Sequence, residues 1–331
     1  MLNFCTLFDT NYMAKGLCMY DSLTKHCSDF HLYIFAFDDN CHQTLTRLKL
    51  NNVTIISLSE FEDEQLLKVK PQRSKAEYCW TCTSSTILYC IEKYLLDHCT
   101  YIDADLYFYG DPVHLVDEMS ANSDVLITEH RYTPIYDQSE LSGKYCVQFV
   151  TFRNTENGMF ILRWWRDACL EWCYARKEDG KFGDQKYLDD WTTRFKGIHE
   201  LNHLGGGVAP WNVQQYTIEN ENNTLVVYHP DSGKYFDLIF FHFHYMHIYK
   251  MKFIYEFFFG HYILPRKVLH YLYKAYVAQL KRKSLELRKI HSKTDGLGVQ
   301  NQPIGWFILI GHLIKNITKP NRINWLRLWQ N

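Results

Sequence analysis

The chain reads as an α/β protein with a mostly parallel central sheet flanked by helices. Three observations predict that class. Apolar runs of strand length alternate with amphipathic stretches through residues 2–58, and this alternation builds parallel strands joined by helical crossovers. The runs are apolar nearly throughout, as strands covered on both faces require. Polar breaks close them, Asp9-Thr10-Asn11-Tyr12 after the first and Asp38-Asp39-Asn40 after the second. Open sheets of this kind bind ligands at the carboxyl ends of their strands.

Taken in order, residues 2–8 form the first strand and residues 13–26 an amphipathic helix marked by Leu17, Tyr20 and Leu23. Residues 31–37 are the second strand, 42–50 a helix and 53–58 the third strand. A helix within 75–97 feeds a strand at 100–103. Strands follow at 124–129 and 145–152, with a polar loop at 130–144 between them. A Trp-rich helix covers 157–178, and a Gly-rich break at 179–182 leads into a helix opened by Gly183-Asp184-Gln185 and running through Trp191. Gly205-Gly206-Gly207 marks a turn or a close backbone approach. Strands at 224–228 and 237–245 complete the body.

With 331 residues, 47% of them hydrophobic and 16% aromatic, the chain can bury a large core. Its formal net charge of −1 conceals an asymmetry. Residues 1–250 hold 22 Lys+Arg against 34 Asp+Glu, and residues 251–331 hold 14 against 3. The organisation expected is an acidic body, 1–250, and a basic, aromatic, helical extension, 251–331. The longest apolar run, Ile304 to Ile314, is far short of the ~20 residues a membrane span needs. No signal peptide opens the sequence, and the 11 cysteines show no framework spacing, so free thiols in a cytoplasmic setting are expected. Cys79/Cys82 and Cys169/Cys173 have ligand-like spacings, but both pairs fall in helical patterns, not in the paired loops of a zinc site.

Asp103 and Asp105 sit two apart behind an apolar run. On an extended chain such side chains share one face. Two adjacent carboxylates repel unless a cation lies between them, and a hard divalent ion there would also take phosphate oxygens. His242 and His244 repeat the spacing at the end of a later strand, and an imidazole would complete a site for Mn²⁺ or Mg²⁺. The plainer alternatives are a loop cap for the aspartates and a strand edge for the histidines. Gly183-Asp184-Gln185 places an acid and an amide at a helix start, where a plain cap is the simpler role for Asp184. Trp211 and Asn212 follow the triple glycine and would line a sugar pocket, unless Trp211 is core.

In combination these motifs resemble the nucleotide-diphospho-sugar glycosyltransferases of GT-A fold. The likeness is greatest to the retaining family of glycogenin and the lipo-oligosaccharide galactosyltransferases, and to bacterial surface-polysaccharide transferases. Leu7-Phe8-Asp9-Thr10-Asn11-Tyr12 resembles the uridine-binding first loop of that family, and Tyr101-Ile102-Asp103-Ala104-Asp105 its metal-binding Asp-x-Asp. Asp184-Gln185-Lys186-Tyr187-Leu188 resembles its Asp-Gln-x-x-Leu element, and Phe241-His242-Phe243 its late strand with a metal-binding His. Glu77-Tyr78-Cys79-Trp80-Thr81 and Ala209-Pro210-Trp211-Asn212 are shared with the polysaccharide transferases. The likeness spans roughly residues 2–248. Two departures stand out. Cys146-Val147-Gln148 replaces an Asn-Gly acceptor element, and the late motif shrinks to His242-Phe243-His244-Tyr245, leaving Lys250 as the candidate for a distal phosphate.

The resemblance implies transfer of a hexose from a UDP-sugar to a glycan or lipid-linked acceptor, with retention, in bacterial surface polysaccharide assembly. It implies that Asp103, Asp105 and His242 bind the metal, and that Thr6, Phe8, Asp9, Asn11 and Tyr12 seat the nucleotide with Asp103 and Ala104. Gln185 and Asp184 would be catalytic, and Trp211, Asn212 and His244 would contact substrate. Asp189, Asp190 and Glu129 stay open as bases for inversion. A nucleotidyltransferase of similar fold and a catalytically dead sugar- or membrane-binding scaffold are the alternatives. The basic extension would dock on an anionic membrane surface, making the protein peripheral at the inner membrane. No nucleic-acid motif accompanies the charge.

Overall fold

The computed structural model describes residues 1–221, 224–251, 254–292, 294–299, 322–323 and 325–327. The central sheet contains β1 (Leu2–Phe8), β2 (Phe30–Ala36), β3 (Val53–Ser57) and β4 (His98–Ile102). β5 (Leu106–Phe108) stands outside it, while β6 (Val125–Glu129), β7 (Tyr145–Arg153) and β8 (Ile198–Glu200) complete it. The strand order is β3-β2-β1-β4-β7-β6-β8. All but β7 run in one direction, and β7 is antiparallel to both neighbours. The α/β class with a mostly parallel sheet is therefore what the chain adopts.

Strand alternation explains how the sheet is covered. Phe4 and Phe8 of β1 join one apolar cluster, and Cys5 and Leu7 join another on the opposite face. Helix α1 (Met13–His26) fills the first side and is buried along most of its length. Helix α2 (Asp39–Leu48) follows β2. On the second side lie α3 (Lys75–Tyr94), opened by a Ser74/Glu77 capping box, and α4 (Glu156–Glu171), capped by Thr155. Cys5, Cys90 and Cys99 meet within this second cluster.

Several elements differ from the sequence reading. The Trp-rich helix stops at Glu171, because the backbone extends at Trp172 and lets Cys173 enter the core. A tight hairpin follows, in which Glu178 and Lys181 exchange backbone bonds around Asp179 and Gly180, both at positive φ. The expected helix after Gly183 is a 3₁₀ stretch, Gln185–Asp190, before one α-turn at Trp191–Arg194. The run at 237–245 is broken in two. β9 (Thr217–Glu221), β10 (Thr224–His229) and β11 (Lys234–Asp237) form a meander. β12 (Phe240–His242) then leaves it to pair with β5, His242 opposite Leu106.

The region after 250 is not helical from its start. β13 (His247–Met251) and β14 (Ile254–Phe258) form a hairpin, and Trp325–Arg327 add a strand to it. Helix follows from Arg266, with α5 (Lys274–Ile290) as its long segment. Tyr276 stacks on Phe243 with ring centroids 3.7 Å apart. Arg282 and Lys283 both reach Asp21 of α1, at 2.9 and 2.8 Å. Apolar residues from both sides of position 250, Phe4 through Leu297, belong to one core cluster. The apolar run 304–314 and Lys293 lie outside the described residues.

Candidate active site

Asp103 and Asp105 do come together, for a different reason than strand periodicity. β4 ends at Ile102, and Asp103-Ala104-Asp105 is a turn before β5. The turn is pinned at both ends: Asp103 N donates to Gln148 O at 3.1 Å, and Phe243 N donates to Asp105 O at 2.9 Å. Tyr101 OH donates to Asp103 Oδ1 at 3.1 Å. β12 delivers His242 from the other side. Its Nε2 lies 3.0 Å from Asp105 Oδ1 and 3.6 Å from Asp103 Oδ2.

The ligand-capable atoms of Asp103, Asp105 and His242 lie within 4.8 Å of one another. His242 Nδ1 pairs with Gln148 Oε1 at 2.8 Å, which fixes the tautomer and leaves Nε2 for the carboxylates or for an ion. Two hard carboxylates and one imidazole suit Mn²⁺ or Mg²⁺. The electrostatics agree. Burial pushes the Asp103 carboxyl up, His242 draws it down and the Asp105 charge raises it again, to about 6. Burial also raises Asp105, but His242 and Lys15 hold it well below the usual carboxylate range. Such a strained acid pair gains from a divalent cation.

Asp103 and His242 of this cluster line a cavity of about 470 Å³, with Asp105 buried behind them. Trp80, Tyr132, Phe182 and Trp211 are among its apolar walls, and Asp184 and Gln185 line it as well. Asp184 is not a helix cap; its side chain makes no capping bond. Burial raises its carboxyl to about 7, despite a hydrogen bond with Thr83. Trp165 Nε1 donates to Asp184 O at 2.9 Å and holds the loop. Gln185 Nε2 donates to Ser142 O at 2.8 Å, so the polar loop at 130–144 positions this side chain. Burial lowers His130 and His244 to about 3, leaving both neutral near pH 7.

The other sequence candidates are placed unevenly. Trp211 lines the cavity edge-on to His242 and His244, each at 5.3 Å, while its Nε1 donates to His130 O. His244 lines it too, from just beyond β12. Asn212 does not: its amide is spent on Ala209 N, His130 O and Gly207 O inside its own loop. Thr6, Phe8 and Ala104 are buried, and Phe8 packs on Gly16. Asp9 caps the turn at Thr10–Tyr12, and Asn11 and Tyr12 are exposed. This loop is a surface rim beside residues 294–298, where Ala14 N donates to Gly296 O at 3.0 Å. Asp189 pairs with Lys186 and Lys144 N, Asp190 pairs with Arg194, and neither they nor Glu129 line the cavity. The side chain of Lys250 lies outside the described residues.

Two residues at the site carried no role in the sequence reading. Gln148 is a polar interruption in the apolar run of β7, and Lys15 is a cation within the otherwise apolar Met13–Tyr20 stretch. Each breaks its element's pattern, and that is the signal that would have found them.

No family model matches the chain. Two relatives come from Bacillus subtilis (strain 168), the uncharacterized proteins YfnD and YfnF, each 29% identical. The matches cover 68% and 72% of this chain, and 73% and 80% of theirs. Solved structures similar to it include the galactosyltransferase LgtC with donor and acceptor sugar analogs, at 14% identity and TM-score 0.42 over 63% of this chain and 76% of LgtC. The glycosyltransferase GlyE of Streptococcus pneumoniae TIGR4 matches at 15% and 0.41, over 60% of this chain but only 45% of GlyE. Mouse xyloside xylosyltransferase 1 matches at 11% and 0.41, over 63% of this chain and 87% of the mouse protein.

Proposed function

We propose that this chain is a metal-dependent glycosyltransferase that moves a hexose from a UDP-sugar to a glycan or lipid-linked acceptor. The observation that carries this reading is the Asp103–Asp105–His242 cluster, whose Asp103 and His242 line an aromatic-walled cavity that Asp184 and Gln185 also line. A diphosphate needs a divalent cation, and a pyranose needs flat apolar walls with a few polar groups.

Asp103, Asp105 and His242 would hold Mn²⁺ or Mg²⁺. When bound, the ion neutralises the charge that develops on the departing diphosphate. Gln148 keeps His242 in the ligating tautomer, and Tyr101 fixes the Asp103 carboxylate. Trp80, Phe182 and Trp211 would supply apolar walls for the sugar. Asp184, poised near neutrality, takes a sugar hydroxyl as donor or acceptor. Gln185 has its amide nitrogen committed to Ser142, so its carbonyl oxygen is the end left to meet the anomeric carbon. Retention and a place in bacterial surface polysaccharide assembly are assigned on the sequence resemblance. Asp9, Asn11 and Tyr12 are assigned to the nucleoside on the same ground.

A panel of UDP-sugars with and without Mn²⁺ tests the reading. Metal-dependent release of UDP from at least one UDP-hexose is expected, abolished in Asp105→Ala with the melting transition kept. No release from any donor, together with no binding of UDP in the presence of Mn²⁺ by calorimetry, overturns it.

A further inference from the structure

Lys15 is the one lysine among the described residues that is buried, at 4% exposure. Its ammonium is held from three sides. Nζ donates to Met246 O at 3.3 Å, lies 4.0 Å over the Tyr12 ring, and approaches Asp105 Oδ2 at 3.9 Å. Asp105 thus has the Lys15 ammonium 3.9 Å from one oxygen and the His242 imidazole 3.0 Å from the other. The stem rises from the packed face of α1, so the charge has little freedom to swing away.

A fixed ammonium beside a ligating carboxylate acts on a metal in two ways. It neutralises part of the charge that would draw a cation in, and it repels the cation once bound, strongly where water is excluded. A nucleoside diphosphate brings several negative charges to the same place and reverses the balance. We propose that Lys15 makes metal binding conditional on the diphosphate, so that ion and nucleotide enter and leave this site as a pair. The inference rests on the glycosyltransferase reading, because it takes the diphosphate as the co-ligand. By linkage, the factor by which nucleotide tightens the metal equals the factor by which metal tightens the nucleotide.

The test is Mn²⁺ affinity, read by calorimetry and by the EPR signal of free Mn²⁺, with and without saturating UDP. Wild-type protein is expected to bind Mn²⁺ weakly alone and at least tenfold more tightly with UDP. Lys15→Met is expected to bind Mn²⁺ alone at least tenfold more tightly than wild type, with the UDP effect correspondingly reduced. Lys15→Arg, which keeps the charge, is expected to keep the wild-type coupling. Should Lys15→Met lose its cooperative melt, Lys15→Gln carries the same expectation. Coupling in wild type that is unchanged in the neutral variants overturns the role of Lys15 alone. Weaker Mn²⁺ binding in a folded neutral variant does the same, because Lys15 would then only align Asp105. No Mn²⁺ binding by wild type even with UDP overturns the functional reading as well.

Discussion

Asp184 is a carboxyl group almost wholly out of water, and its proton is held to about pH 7 by that burial. Its ordinary value is about 3.9. An acid whose folded value is raised stabilises the fold fully below the unfolded value and loses that contribution as pH rises through the folded one. The metal-free protein should therefore lose stability between about pH 4 and 7, by an amount on the order of a few kcal/mol. Asp184→Asn should lessen that slope in urea titrations at several pH values, leaving the share of Asp103, whose carboxyl is also raised, to about 6; an unchanged slope would place the titration elsewhere. Gln185 makes a different prediction. If it acts mainly in the transition state, Gln185→Ala should lower kcat at least tenfold with little change in KM for the donor. A change in KM alone would make it a binding residue.

At the scale of elements, the site exists because two strands from distant sequence meet. β7 is the antiparallel strand wedged between β4 and β6, and its Gln148 reaches β12 to hold His242. Gln148 is fully buried and its Nε2 has no partner, so the residue carries an unsatisfied donor in order to present Oε1. Gln148→Leu should weaken Mn²⁺ binding roughly 10–100-fold, as loss of a partner behind a ligand does. It should lower the melting temperature only modestly, because the buried His242 Nδ1 loses its acceptor while the orphan donor of Gln148 is removed as well. A large fall in melting temperature with metal affinity intact would make Gln148 a structural residue. The histidines divide by the same geometry. His242 touches both aspartates and His244 neither, so His242→Ala should cost more metal affinity than His244→Ala, and the reverse order would reassign the ligand.

Across the whole molecule, the basic region after 250 is partly spent on the body. Arg282 and Lys283 pair with Asp21, and Tyr276, Leu280 and Leu287 enter the same core cluster as β1 and α1. A chain ending at 250 would strip those residues from α1, so 1–250 should lack a cooperative melt. A well-folded 1–250 would show that α5 is dispensable. Among the described residues no helix is long and apolar enough to cross a membrane. We keep membrane docking as a proposal on the outward basic face of α5, where Lys274 and Lys289 are exposed. Near an anionic surface each basic residue contributes about 1 kcal/mol. Lys274→Glu with Lys289→Glu should therefore cut sedimentation with anionic vesicles at low salt. No binding by wild type, or equal binding by the double variant, would leave the helix as structure only.

The amino-acid sequence by itself determined the alternation that builds the sheet, since the apolar runs of β1, β2 and β4 and the polar breaks after them are local patterns. It also put Asp103, Asp105, His242, Asp184 and Gln185 forward, because acids, amides and imidazoles at strand and helix ends are conspicuous against apolar neighbours. Only the tertiary structure decided how they meet. The aspartates converge through a turn tied to Gln148 and Phe243, contacts separated by more than forty residues, which no local period encodes. Of the two readings open for Asp184, the structure gives a buried acid without a capping bond, its loop held by Trp165 and its side chain bonded to Thr83. Asn212 turns inward for the hydrogen bonds of its own loop. Lys15 acquires its place only when α1 lies under the Asp105 turn, where burial makes one ammonium count.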